Sequence, residues 1–71
     1  MARELKPAPG LKYYGVNRDL WHIVDKVTDG DIVLWVSKSW NKWQAGWTYN
    51  ILSEDSITWI LSHQNELHEK N

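Results

Sequence analysis

The chain has 71 residues, of which 42% are hydrophobic and 24% charged, and its formal net charge is −1. A chain of this length forms one small domain that buries only about 60% of its unfolded surface, and the absence of cysteine excludes disulfides and thiolate ligands for zinc. The aromatic residues are six Trp, three Tyr and no Phe. We do not expect so small a core to bury all six indoles, so the exposed Trp residues are the main indication of function.

Membrane and secretory signals are missing from the sequence. It contains no run of about 18 apolar residues, so we expect no transmembrane helix and no membrane partner. Residues 1–10 lack the apolar stretch of a signal peptide, which predicts a cytoplasmic protein. The nearly balanced charge argues against bulk attraction to nucleic acids, although residues 38–52 contain Lys38 and Lys42 without any acid.

The first half of the chain is predicted to form an arm followed by strands. Pro7, Pro9 and Gly10 favour extended backbone, so residues 1–10 are predicted to be a flexible N-terminal arm and 11–71 a single β-rich domain. Residues 11–16 and 20–27 are the first two predicted strands. They are separated by a turn at 17–19, whose Asn and Asp favour turn backbone.

The sequence Thr28-Asp29-Gly30-Asp31 between two β-branched runs predicts a hairpin with Asp29-Gly30 as its two-residue loop. The third strand is therefore 32–37. This register predicts an interior face that carries Trp21, Ile23, Asp25, Val27, Ile32, Leu34, Val36 and Lys38. Trp35 then lies on the outer face. Both faces carry apolar residues, so the pattern alone does not decide which one is buried.

Segment 38–46 has two interpretations. Trp40, Trp43 and Trp47 recur at helical spacing, whereas residues 43–51 also alternate as in a strand. Gly46 and the β-rich residues that follow favour a loop and then a strand, which is the prediction we retain. Trp40 and Trp43 are then in a basic loop, and Trp47, like Trp21, occupies a core position.

A C-terminal helix over about 54–69 is the strongest element prediction. Ser53 is its expected N-cap, and Glu54 and Asp55 place negative charge in its first turn. Its apolar arc contains Ile57, Ile60, Leu61, Gln64, Leu67 and His68, and the opposite arc contains Trp59, His63, Glu66 and Lys70. Trp59 is therefore either folded over a sheet edge or available to a partner.

Neither a metal site nor an active site is predicted. His63 and His68 are separated by roughly 140° around a helix and do not converge on one ion. The sequence contains no nucleophile elbow and no phosphate-binding glycine loop. We therefore expect no bound metal, no cofactor and no enzymatic activity.

Basic and aromatic residues alternate in Lys38, Trp40, Lys42 and Trp43. This pattern suits single-stranded nucleic acid, where indoles stack on bases, and equally suits a protein interface, where Trp is a frequent hot spot. Two lysines neutralise about two phosphates, which is little for affinity at physiological salt. We therefore predict protein binding first and nucleic acid second, through the residues Trp35, Trp40, Trp43, Trp59, Lys38 and Lys42. A homodimer through Trp59 or Trp35, and an aromatic cage formed by Tyr13, Tyr14, Trp35, Trp40 and Trp43, are further alternatives.

The order of hairpin, further strands and a final "SEDSITWILSHQNEL" helix resembles SH3-like small barrels closed by a C-terminal helix, as in small archaeal chromatin proteins. The segments "LWHIVDKV", "TDGD" and "IVLWVSKSW" are similar to the opening strands of a chromodomain. Size and Trp content also resemble small phage-encoded accessory proteins that bind and inhibit a host factor. These resemblances imply an α+β domain with a twisted antiparallel sheet of four to five strands, curled into a partly open barrel, and a non-catalytic binding role.

Overall fold

A computed structural model describes residues 6–67. The elements are β1 (Lys12–Tyr14), β2 (Leu20–Asp29), β3 (Ile32–Asn41), β4 (Gly46–Ser53), α1 (Glu54–Ser62) and α2 (Gln64–Leu67). The four strands form one antiparallel sheet in the order β1-β2-β3-β4. The predicted α+β class, with four strands and a C-terminal helix, is confirmed. The sheet is open, since β1 and β4 are its two edges and do not pair with each other.

The turn between β2 and β3 differs from the prediction. Asp29 pairs with Ile32, so the two-residue loop is Gly30-Asp31 rather than Asp29-Gly30. Gly30 has a φ of +62°, whereas Asp31 is not among the residues with positive φ. A positive φ at the first loop position alone fits a type II′ turn, in which glycine is favoured at that position.

A β-bulge in β2 changes which residues face the same side. Ile23 pairs with Ser37 and Asp25 pairs with Val36, so Val24 is the extra residue. Because side chains alternate along a strand, the bulge moves Lys26 to the side of Ile23 and Asp25 to the other side. The predicted interior face of β2 and β3 is therefore wrong beyond Ile23.

One face of the sheet is covered by α1, and we call it the covered face. Its core consists of Tyr13, Ile23 and Trp35 from the sheet, packed against Ile57, Ile60 and Leu61 of the helix. Two polar contacts lie beside these apolar residues. The Tyr13 hydroxyl donates to Ser37 Oγ at 2.8 Å, and Trp35 Nε1 donates to Glu54 Oε1 at 3.3 Å.

The helix begins where the sequence predicts. Ser53 has an extended backbone, and its Oγ accepts a hydrogen bond from Ser56 N at 3.3 Å. The helix ends earlier than predicted, because α1 stops at Ser62 and a short α2 follows after His63. Residues 68 and 69 of the predicted helix, and residues 1–5 of the predicted arm, lie outside the described residues.

Gln64 connects α2 to the edge strand β1. Its Oε1 accepts from Tyr14 N and its Nε2 donates to Tyr14 O, both at 2.8 Å. The side-chain amide thus satisfies the backbone groups that an edge strand exposes. At the other end of β1, Gly10 N donates to Ile23 O at 2.8 Å, which attaches the end of the predicted arm to β2.

Candidate functional site

The second face of the sheet is not covered by α1 or α2, and we call it the open face. The pairing registers and strand alternation place its side chains opposite those of Tyr13, Ile23 and Trp35. Its residues are Lys12, Tyr14, Leu20, His22, Asp25, Val27, Asp29, Ile32, Leu34, Val36, Lys38, Trp40, Trp47, Tyr49, Ile51 and Ser53.

An aromatic cluster occupies one end of the open face. Trp40 and Trp47 are direct cross-strand partners, and their rings meet edge to face at 5.3 Å. His22 contacts Trp47 in the same geometry at 5.7 Å, and Lys38 Nζ lies 4.2 Å from the centre of the Trp47 ring. Trp40 is 53% exposed and Trp47 is 43% exposed. The indoles are therefore held in place by their neighbours while much of each surface remains in solvent.

Apolar residues continue from this cluster along the sheet. On β4, Tyr49 is 61% exposed and Ile51 is 62% exposed. At the far end of β3, Ile32 is 57% exposed. Val27, Leu34 and Val36 fill the space between them. The result is an apolar strip that runs the length of β3. Continuous exposed apolar surface of this kind marks interaction sites in soluble proteins.

The turn between β3 and β4 presents another indole. Residues 42–45 form this turn, in which Asn41 Oδ1 accepts from Trp43 N at 3.0 Å and from Gln44 N at 3.2 Å. Trp43 is 87% exposed, and Lys42 Nζ lies 5.4 Å from its ring. Of the two interpretations of segment 38–46, the helical one is wrong. The strand prediction is confirmed from Gly46 onward, but Trp40 lies in β3 and not in a loop.

Trp35 does not have the position expected for a binding residue. It is 4% exposed and belongs to the core of the covered face, so its predicted place on an outer face is wrong. The cause is the choice of face: Trp35 lies opposite Leu34 and Val36 as predicted, but α1 packs on the face that carries Trp35, and the bulge at Val24 leaves Ile23 on that same face. This burial also excludes Trp35 from the homodimer contact and from the aromatic cage suggested by the sequence.

Trp59 is exposed but lies on a different surface. It is 51% exposed on the outer side of α1, where its ring stacks on His63 at 4.0 Å. Since α1 packs on the covered face, Trp59 does not join the open face. The predicted binding residues thus divide into one group at the aromatic end of the sheet (Trp40, Trp43, Lys38 and Lys42), an isolated Trp59, and a buried Trp35.

Sequence reasoning missed the largest part of the open face. The sequence predicts a core position for Trp47 and does not mark Tyr49 or Ile51 as binding residues. Their alternation with Thr48 and Asn50 is the usual signal of a buried apolar face, so it predicts the opposite of what is observed. The sequence does contain one indication of this surface. It carries enough apolar residues for two faces of the sheet but only one predicted helix to cover them.

A concave site lies on the covered side, beyond the region that α1 protects. It has a volume of about 440 Å³, and its lining residues are Asp19, Trp21, Ser39, Trp40, Asn41, Lys42, Trp43 and Thr48. Trp21 approaches Gly15 so closely that a Cβ there would lie 2.8 Å from its Nε1. Ser39 Oγ is already engaged as a donor to Leu20 O. The site offers indole walls, one carboxylate from Asp19 and one ammonium group from Lys42, which suits a small planar group.

Metal-ligating side chains do not cluster within residues 6–67, where no three His, Cys, Asp or Glu residues are close enough to share an ion. In the same part of the chain, neither helix has the length and hydrophobicity needed to cross a membrane. The one described titratable group with a clear perturbation is Tyr13, in the core. Burial raises the pKa of its hydroxyl, and the hydrogen bond to Ser37 partly opposes this effect.

Comparisons of the chain with protein-family models, with curated proteins and with solved structures gave no match. The functional proposal therefore depends on the geometry of the open face.

Proposed function

We propose that this protein is a non-catalytic protein-binding module whose interaction surface is the open face of its sheet. The observation that supports the proposal is the exposed apolar strip formed by Trp40, Trp47, Tyr49 and Ile51, on the face that neither α1 nor α2 covers in the described part of the chain. Trp and Tyr are the residues most enriched at energetic hot spots of protein interfaces. In this role the domain acts in the cytoplasm as an accessory or inhibitor protein on its partner.

The shape and rigidity of the open face favour a protein partner. The edge-to-face contact of Trp40 with Trp47, and the position of Lys38 against the Trp47 ring, fix these side chains before any partner arrives. Binding therefore costs little side-chain entropy, which improves affinity for a given contact area. Lys38 and Lys42 lie beside the indoles and act as polar rim residues that orient the partner.

Single-stranded nucleic acid is the second candidate ligand, because Trp40 and Trp43 lie close to Lys38 and Lys42 at one end of the sheet. Two features of the open face favour a protein partner over nucleic acid. Lys38 already lies over the Trp47 ring that a base would need. The strip then continues into Ile51 and Ile32, whose aliphatic side chains offer no stacking surface to a base.

The test compares two variants that add the same charge at positions of equal exposure. Ile51 is 62% exposed on the open face, and Val16 is 64% exposed in the loop between β1 and β2. Captured proteins are identified with wild type, Ile51→Lys and Val16→Lys as baits, and the direct complex is then measured by calorimetry. We expect Ile51→Lys to lose the partner and Val16→Lys to keep it.

Equal recovery by both variants would remove the open face from the proposal. Titration with fluorescently labelled oligonucleotides at low salt tests the second candidate. Binding that weakens steeply with salt and is lost in Trp43→Ala would establish nucleic acid as the ligand, since phosphate contacts are salt-dependent.

A further inference from the structure

Charges on the open face are separated along the strands. Lys12 and Lys38 lie in one cross-strand row with His22, next to the Trp40–Trp47 pair. Asp29 lies at the opposite end of β2, where it pairs with Ile32, and Asp25 lies between the two ends, level with Val36 at the middle of β3. The open face therefore has a basic, aromatic end and an acidic, aliphatic end.

The two turns that flank β3 extend the same pattern. Lys42 follows the last residue of β3, and Asp31 precedes its first residue, so the two stand symmetrically about the centre of the strand. Both are exposed. Charges of opposite sign near these ends are not on the open face: Lys26 lies over the buried Trp35, and Asp19 lines the concave site near Trp21, which Lys42 also lines from the turn.

We propose that the partner of the open face is a second copy of this chain, packed face to face with the strand directions reversed. This inference rests on the proposed function, because it uses the same surface. The two-fold axis lies between the sheets and perpendicular to the strands. It places the Lys38 end of each copy over the Asp29 end of the other, with Asp25 near the middle, and Asp31 beside Lys42 of the other copy.

Charge selects this arrangement over the other face-to-face dimer. A two-fold axis parallel to the strands would superimpose the row of Lys12, His22 and Lys38 on its own copy, and like charges in close contact are unfavourable. The reversed arrangement brings carboxylates to that row instead. With a net charge of only −1, two copies do not repel each other at long range.

The dimensions of the face permit a dimer of moderate affinity. Ten residues of β3 extend about 33 Å, and the three strands β2 to β4 span about 14 Å including their margins. The footprint is then on the order of 450 Å² per copy, and roughly 900 Å² for both copies is below the about 1,200–2,000 Å² of standard stable interfaces and in the range of weak, transient ones. We therefore expect a dissociation constant in the micromolar range.

Sedimentation equilibrium of wild type, Ile51→Lys and Val16→Lys over a wide concentration range tests the dimer. We expect wild type and Val16→Lys to dimerise and Ile51→Lys to lose at least tenfold in affinity, because it places two buried ammonium groups at the centre. Near-UV circular dichroism verifies that each variant is folded. A wild type that is monomeric at millimolar concentration, or an Ile51→Lys variant that dimerises normally, would overturn the inference.

The reversed direction is tested by exchanging charges at the two turns. In a homodimer of Lys42→Glu, or of Asp31→Lys, both turn pairs carry charges of the same sign. Each variant should therefore self-associate about tenfold more weakly than wild type, an effect of the size expected for two solvent-exposed ion pairs. An equimolar mixture of the two variants should associate as well as wild type, because every turn pair in the heterodimer is again opposite in charge. If the mixture is no better than the separate variants, the proposed orientation is wrong.

The outcomes separate this inference from the function on which it rests. A monomeric protein whose Ile51→Lys variant still loses a captured partner would reject the homodimer and retain protein binding, with a heterologous partner on the same face. A monomeric protein whose Ile51→Lys variant loses nothing would reject both.

Discussion

The covered and the open face of this sheet use the same kinds of residue with opposite outcomes. Trp35 on the covered face is 4% exposed, whereas Trp40, five residues along the same strand, is 53% exposed. The difference comes from α1, whose Ile57, Ile60 and Leu61 pack on one side only. Within residues 6–67, neither α1 nor α2 covers the second face, so its apolar side chains remain exposed.

The largest expected difference between the two faces is in stability. Trp35→Ala removes a buried indole, which costs about 3–5 kcal/mol in protein cores and is comparable to the whole stability of a domain of this size. Trp40→Ala removes a half-exposed member of a cross-strand pair and should cost about 1 kcal/mol or less. Urea denaturation should therefore give no folded baseline for Trp35→Ala and a normal transition for Trp40→Ala.

Protein concentrations well below the expected micromolar dissociation constant keep association from contributing to the stability of either variant. Equal destabilisation by the two substitutions would mean that the open face contributes to the core as much as the covered face does, and the distinction between them would fail.

This contrast also explains how much the sequence predicts. The helix was predicted from Ser53 onward because capping and apolar periodicity are local properties, and the cap and the buried residues Ile57, Ile60 and Leu61 agree with it. The existence of the β2–β3 hairpin was predicted for the same reason, from the turn residues around Gly30. These elements require no knowledge of what packs against them.

The faces were not predictable in the same way. Trp35 is predicted on an outer face but lies in the core, and Trp47 is predicted in the core but is 43% exposed. A bulge at Val24 reverses the alternation of β2, and no local residue signal marks it. The choice of which apolar face α1 covers is a tertiary property, so the candidate surface was identified only in part: Trp40, Trp43, Lys38 and Lys42 were found, and Trp47, Tyr49 and Ile51 were missed.

A second prediction concerns the hydrogen bond inside the covered face. Tyr13→Phe removes the donor to Ser37 Oγ, and Ser37 is completely buried, so its hydroxyl loses this partner. An unsatisfied buried hydroxyl costs about 1–3 kcal/mol of the free energy of unfolding. The double variant Tyr13→Phe/Ser37→Ala should recover most of this loss in thermal denaturation. A double variant as unstable as the sum of both single variants would contradict a direct coupling.

A third prediction is the alkaline limit of stability. Burial raises the pKa of Tyr13 in the folded state, so the protonated hydroxyl is favoured by folding. The corresponding stability is present below the ordinary pKa of tyrosine, near 10, and is lost as the pH rises through the higher folded-state value. Above that ordinary pKa, wild type should lose stability more steeply than Tyr13→Phe. Parallel pH profiles for the two proteins would show that Tyr13 does not ionise on unfolding.

The smallest expected effect is at the turn that holds the open face in register. Ala45 has a φ of +50°, a conformation that costs an L-residue about 1–2 kcal/mol, while glycine costs about 0.5–1 kcal/mol in lost backbone entropy. Ala45→Gly should therefore stabilise the protein by about 0.5 kcal/mol, or roughly 2–4 °C in Tm. Gln44→Gly, at a neighbouring position without positive φ, should destabilise it instead. If both substitutions lower Tm, the left-handed residue is not what closes this turn, and the alignment of Trp40 with Trp47 must be fixed by the indoles themselves.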